Sequence, residues 1–185
     1  MNKMCNIPLP DAEILFQQLV KKIQADSDKH FALVGIHTGG VWLAERLHQV
    51  LAISQPMEPL GILSVSFYRD DFDKIGLHAQ VKPSEILFAV DGAHILLVDD
   101  VLQTGRTIRA AINELFDYGR PASISLATLI DRGDRELPIC AQYVGAELRL
   151  PKDKTLMFNR DDDGKFKLNL RDRKGVEGSE PGLLG

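Results

Sequence analysis

Apolar residues along this chain fall into two spacings, and their alternation predicts the architecture. Over residues 11 to 25, Ile14, Leu15, Leu19 and Ile23 recur at helical spacing, with Pro10 and Asp11 ahead of them as a start signal. Phe31 to Ile36 is a short apolar run and predicts a buried strand. His37-Thr38-Gly39-Gly40 is a turn, and Val41 to Leu51 predicts a helix with Leu43, Ala44, Leu47 and Leu51 on one face. Leu60 to Tyr68 alternates and predicts a second strand. From Arg69 to about Val90 the chain is polar and charged, with Pro83 and few periodic residues. A loop of that length inside a compact domain is expected to be a flexible lid.

The pattern then sharpens. Ile95 to Val98 predicts a buried strand that ends at the pair Asp99-Asp100. After the turn Thr104-Gly105-Arg106-Thr107, a helix places Ile108, Ala111, Ile112, Leu115 and Phe116 on one face, with Gly119 and Pro121 as its stop. Ser123 to Ile130 predicts another strand, and shorter strand-like pieces recur at Gln142 to Val144 and Thr155 to Phe158. Asp161-Asp162-Asp163-Gly164 predicts an acidic turn between two short strands, since it lacks the spaced oxygen ligands of a calcium loop. Arg171 to Gly185 is rich in glycine and charge and predicts a disordered tail. The sum is an α/β domain over residues 1–170: a mainly parallel sheet flanked by helices. The first helix and the pieces after residue 131 are expected to form a small hood, with the lid over residues 69–90.

Composition narrows the classes. A chain of 185 residues can bury a full core as one domain. A net charge of -4, from 22 basic and 26 acidic residues, gives no support to broad nucleic-acid affinity. The two cysteines, Cys5 and Cys140, are far apart with no CxxC spacing, which predicts a reduced intracellular setting. No run reaches membrane-spanning length and no leader pattern opens the chain, so a cytoplasmic protein with no membrane partner is expected.

The candidate chemistry lies in Ile95 to Thr107. A strand that passes through two carboxylates into a helix start can hold a sugar and a phosphate side by side. Helix N–H groups and the positive dipole end suit the phosphate, Gly105 permits close backbone approach, and Thr104 and Thr107 add hydroxyl donors. Asp99 and Asp100 are suited to ribose hydroxyls. Taken singly, an acidic pair is a solvated strand end and a Thr-Gly turn is a cap; their order and spacing together carry the signal. Gly35 to Gly40 offers a second Gly-rich strand-to-helix turn, a candidate anion nest.

The run Ile95 to Thr107 resembles the signature of the type I phosphoribosyltransferases, which use 5-phosphoribosyl 1-diphosphate (PRPP). The resemblance implies a PRPP and nucleotide site at Thr38, Gly39, Asp99, Asp100, Val101, Leu102, Gln103, Thr104, Gly105, Arg106 and Thr107. It implies catalytic roles for Asp99, Asp100 and Arg69, with Lys74 and Lys82 ranked lower. It implies Mg²⁺ carried mainly by PRPP, with Asp99 and Asp100 as protein contacts and no dedicated metal site. His37 and Gly39 stand where many relatives carry Lys or Arg, so pyrophosphate would rely more on backbone donors. Asp131 to Ile139, with Tyr143-Val144-Gly145, Phe67 to Asp71 and Gly119 to Ala122, is similar to the bifunctional regulators of pyrimidine operons that are also uracil phosphoribosyltransferases. From that similarity, uracil would lie against Arg132 and near Met157, because Asp131-Arg132 replaces the lysine pattern of purine enzymes. The partners implied are PRPP, uracil, UMP or UTP, operon leader mRNA and a second copy in a homodimer. Two alternatives stay open, a purine salvage phosphoribosyltransferase and a non-catalytic nucleotide or PRPP sensor. An RNA-binding patch would need Arg132, Arg135, Arg149, Lys152 and Lys154 to gather.

Overall fold

A computed structural model describes residues 7–26, 30–65 and 83–172 of the protein. The elements are α1 (Ala12–Ala25), β1 (Ala32–Ile36), α2 (Gly39–Leu51), β2 (Gly61–Leu63), β3 (His94–Leu102), α3 (Arg106–Tyr118), β4 (Ser123–Asp131), β5 (Tyr143–Glu147), β6 (Lys154–Arg160) and β7 (Phe166–Asp172). The first five strands form one parallel sheet in the order β2-β1-β3-β4-β5. A separate antiparallel hairpin, β6-β7, is the hood.

Strands β1, β3 and β4 are buried on both faces, which is why they read as continuous apolar runs. Alternation within β3 divides its side chains. Leu96 and Val98 join a core with α1, α2 and the hairpin. Ile95 and Leu97 join a second core with α3, Ile36 and Leu63. The chain leaves β1 toward β2 on one side and β3 lies on the other, so the sheet has its switch point between β1 and β3.

Four boundaries depart from the sequence reading. Strand β3 does not end at the acidic pair; it runs on to Leu102, because Val101 and Leu102 pair with Ile130 and Asp131 and the Leu102 side chain is buried. The expected lid is shorter at its C-terminal end. Ile86, Phe88 and Val90 pack into the second core, and Glu85 pairs antiparallel with Ile62. Strand β2 spans only Gly61–Leu63, since Leu60, Ser64 and Val65 fall outside it, and residues 66–68 of the expected strand lie outside the described residues. Of the tail expected from Arg171, Arg171 and Asp172 instead pair with Thr155 and Lys154 in β7, and residues 173–185 lie outside the described residues. The acidic run Asp161 to Gly164 is the turn of that hairpin, with Gly164 at φ 78°.

The hood is fastened to the helices by aromatic and charged contacts. Arg46 of α2 lies 4.5 Å from the Phe16 ring centre and 4.3 Å from that of Phe166. Its two terminal nitrogens donate to the Glu13 carboxylate at 2.7 and 2.9 Å, and the Phe166 N–H donates to the same carboxylate at 2.7 Å. Nearby, Arg160 of β6 pairs with Glu45 at 2.7 Å and lies over Trp42, which packs against Phe158.

Candidate active site

The C-terminal ends of β1 and β3 bring together two segments that are distant in sequence. Register pairs Gly35 with Val98, so the turn after β1 and the acidic pair share one edge. A Cβ built on Gly39 would collide with Asp100 Oδ2, and it would stand 2.9 Å from the Phe158 ring. Glycine is therefore required there for the Gly-rich turn to approach the carboxylates. Helix α2 begins at Gly39, two residues before the predicted Val41, so Thr38 and Gly39 form its N-terminus rather than a separate turn.

The two helices that start at this edge differ from the third. α1 is capped by the Asp11 carboxylate, which accepts from Glu13 N–H at 2.8 Å and Ile14 N–H at 3.1 Å, and Glu13 adds an acid to its first turn. α2 and α3 have no acid in their first turns, and neither receives a hydrogen bond from its own N-cap side chain. Their dipole ends and first-turn N–H groups face the site without a built-in anion, the arrangement that phosphate groups need. Gly105 caps α3 at φ 92°, a left-handed conformation that few side chains adopt.

Asp99 is 6% exposed and its Oδ1 accepts from the Asp100 N–H at 3.0 Å. Asp100 is half-buried, and its Oδ1 accepts from the Val101 N–H at 2.9 Å. The Asp100 carbonyl accepts from Thr128 Oγ1 at 3.2 Å. These bonds fix the carboxylates at the strand end.

The turn Thr104 to Thr107 rests on the loop after β4. The Thr104 carbonyl accepts from the N–H groups of Glu136 at 3.0 Å and Leu137 at 3.2 Å. Arg135 donates to the Gln103 carbonyl at 2.8 Å and the Ile139 carbonyl at 2.8 Å, and it pairs with Asp131. Arg106 is exposed and pairs with Glu136 at 2.5 Å. Arg132 is 6% exposed; it donates to Gln103 Oε1 at 3.3 Å and to the Lys154 carbonyl at 3.2 Å. Met157 lies half-buried on β6 in the hood.

The structure thus places Thr38, Gly39, Asp99, Asp100, Gln103 to Thr107 and Arg132 along one end of the sheet. Two expectations change. Leu102 turns its side chain into the second core, so only its backbone borders the site. The condition for a basic patch of all five residues is not met: Arg132 is buried, Arg135 is bound within its own loop, and Lys154 pairs with Asp172. Arg149 and Lys152 stay exposed. Arg69, Lys74 and Lys82 lie outside the described residues. The clamp of Glu13, Arg46 and Phe166 escaped the sequence reading, because it joins three distant segments and no local spacing announces it.

Comparison with known proteins agrees with this geometry. Residues 9–151 match the family model for the phosphoribosyl transferase domain. The chain is 47% identical over 174 residues to the bifunctional protein PyrR of Nitrosococcus oceani, covering 90% of this chain and 98% of that protein. It is 54% identical over 144 residues to the bifunctional protein PyrR of Pseudomonas paraeruginosa, covering 74% and 83%. Among solved structures, a hypoxanthine-guanine phosphoribosyltransferase from Bacillus anthracis superposes with a TM-score of 0.60 at 20% identity, covering 77% of this chain and 84% of that one. The corresponding enzyme from Leishmania tarentolae, in complex with GMP, gives 0.59 at 18% identity, covering 80% and 85%. Likeness at that identity speaks to the fold alone.

Proposed function

We infer the chemistry from kinship: this chain belongs to the phosphoribosyltransferase family and, within it, to the PyrR branch. It is a uracil phosphoribosyltransferase, forming UMP and pyrophosphate from uracil and PRPP. The observation that carries the residue assignment is the meeting of Gly39 with Asp100, which sets two helix starts with no acid in their first turns beside one acidic pair. PRPP has the matching shape, a ribose with phosphate groups at both ends.

In this reading the 5-phosphate lies on Thr104 to Thr107 at the start of α3. The pyrophosphate lies on Thr38 and Gly39 at the start of α2, with Arg69 closing from the lid. Asp99 and Asp100 accept hydrogen bonds from the ribose hydroxyls. Arg132 and Met157 flank the uracil. N1 of uracil forms a bond to C1 of the ribose as the bond from C1 to the pyrophosphate oxygen breaks. The N1 proton leaves to water or a phosphate oxygen, with Asp100 the candidate acceptor on the protein. The sugar passes through a cationic state, as in glycoside cleavage, and the two carboxylates favour it electrostatically. The oxygen donors of Asp99 and Asp100 fit a hard cation that keeps several waters, so they would hold Mg²⁺ arriving with PRPP. That ion would neutralise charge on the departing pyrophosphate. Holding both reactants in line supplies much of the acceleration.

The test is a product assay. The protein is incubated with Mg²⁺, PRPP and, separately, uracil, hypoxanthine, guanine, adenine and orotate, and the nucleotide formed is identified. UMP from uracil alone is expected. IMP or GMP with little UMP would replace uracil by a purine, and binding of PRPP with no product from any base would make the protein a sensor.

A second activity rests on the word bifunctional in the names of the PyrR relatives. We propose that the chain also regulates pyrimidine genes by binding leader mRNA when UMP or UTP occupies the site, as a homodimer.

A further inference from the structure

Gln103 stands where the phosphate side and the base side of the site meet. Its main-chain carbonyl is held by Arg135 at 2.8 Å, in the turn that leads to α3. Its side chain reaches the other way, and Oε1 accepts from Arg132 Nη1 at 3.3 Å. Nη2 of the same guanidinium donates to the carbonyl of Lys154, the first residue of β6, at 3.2 Å. Arg132 itself is buried. One planar group therefore spans the phosphate turn and the hood that carries Met157.

The direction of the contact between Gln103 and Arg132 follows from chemistry. A guanidinium has five N–H donors and no acceptor, so the amide must present its oxygen to it. Holding two nitrogens of a rigid fork sets the plane of the whole group. Uracil presents two carbonyl oxygens, which are acceptors, and an arginine of set orientation is the complementary donor.

We propose that Gln103 is a positioning residue for the pyrimidine ring, acting through Arg132. It is a specificity element set inside the phosphate turn. The proposal rests on the reading that Arg132 borders uracil. Gln103 makes the base contact depend on the same backbone that receives the 5-phosphate, so the two halves of the nucleotide are held in fixed relation.

The experiment compares UMP with ribose 5-phosphate, which lacks the base, by calorimetric titration of wild type, Gln103→Met and Gln103→Glu. Methionine keeps the length and removes the strong acceptor. Gln103→Met is expected to weaken UMP about ten-fold, the effect of leaving one charged buried donor unmatched, while ribose 5-phosphate changes less than about two-fold. Ribose 5-phosphate binding also reports that the variant is folded. Glutamate restores an acceptor for Arg132 but adds a negative charge beside the phosphate turn. Gln103→Glu should weaken both ligands and return their ratio toward that of wild type. In steady state, Gln103→Met should raise KM for uracil and leave KM for PRPP near its original value. Equal losses for both ligands, or none, in Gln103→Met would overturn the role of Gln103 while the uracil reading stands. A wild type that binds UMP no better than ribose 5-phosphate would remove the assignment of Arg132 to the base, and this proposal with it.

Discussion

At the scale of single residues, the site depends on two glycines and two carboxylates whose surroundings differ. Gly105 is left-handed, and a Cβ there would meet Ile139 at 3.3 Å. Gly105→Val combines a strained backbone, costing about 1–3 kcal/mol, with a branched side chain at the phosphate turn. PRPP binding should fall by more than folding stability does, and titration with PRPP beside thermal melting checks the order. Wild-type affinity in a folded Gly105→Val protein would sink the phosphate assignment. The carboxylates make a separate case. Asp99→Asn and Asp100→Asn keep the Oδ1 acceptors for the N–H groups of Asp100 and Val101, so the strand end should survive. What each loses is charge. Turnover should fall by roughly 10²-fold or more with a smaller change in PRPP affinity, the pattern of an interaction stronger in the transition state. Unchanged turnover in both variants would reduce the pair to a structural strand end. The carboxylates and the phosphate turn were legible in the sequence because they are contiguous. The collision that makes Gly39 necessary was not, because it follows from the register of β1 on β3, which no local spacing encodes.

At the scale of elements, the hood is where sequence and structure part most. A short strand is expected over Thr155 to Phe158 and a second beyond the acidic turn, but the second has no bounds in the sequence reading, whereas β7 runs over Phe166–Asp172. Its signal was present: Phe166, Leu168 and Leu170 alternate with Lys167, Asn169 and Arg171. Nearness to a Gly- and charge-rich tail masked its extent. The apolar alternation of Ile86, Phe88 and Val90 was similarly absorbed into a long polar loop, although it packs into the second core. What holds the hood was beyond local reading. Glu13 on α1, Arg46 on α2 and Phe166 on β7 meet at one carboxylate. The Arg46 guanidinium, with help from the Phe166 N–H, holds the Glu13 carboxyl below its ordinary value, while partial burial opposes the shift. A carboxyl with a lowered folded pKa adds stability that is present above its unfolded pKa. That stability is lost as pH falls through the folded value. Glu13→Gln should therefore lower the melting temperature at pH 7, by the equivalent of about 1 kcal/mol after allowing for solvent screening. The gap to wild type should narrow as pH drops below the ordinary glutamate range. Melting curves between about pH 3 and pH 7 test this. A gap that is the same at both ends would assign the clamp to packing of Arg46 between the two rings.

At the scale of the whole molecule, the question is how a chain with a net charge of -4 could hold RNA. Its overall field opposes a polyanion, so binding must come from a local basic surface. The fold decides which side chains remain for it. Arg132 and Arg135 serve the phosphate turn, and Lys154 is paired, whereas Arg149 and Lys152 are exposed on the connection between β5 and β6. Arg149 also reaches back over Gly133, where a Cβ would stand 3.5 Å from its Nη1. Gly133 belongs to the loop whose Glu136 and Leu137 N–H groups hold the Thr104 carbonyl. If the second activity is retained, a leader RNA hairpin should bind more tightly with UMP present. Its affinity should fall steeply with salt, with a log–log slope of about -2 to -4 for a handful of phosphate contacts. Arg149→Ala and Lys152→Ala should each make that slope shallower by about 1. The same variants should keep their rate of UMP synthesis, because neither side chain is part of the assigned PRPP or uracil contacts. Filter or gel-shift titrations over a salt series, set beside the UMP assay, separate the two activities. Binding that ignores both UMP and salt would leave the enzyme standing and remove the regulator.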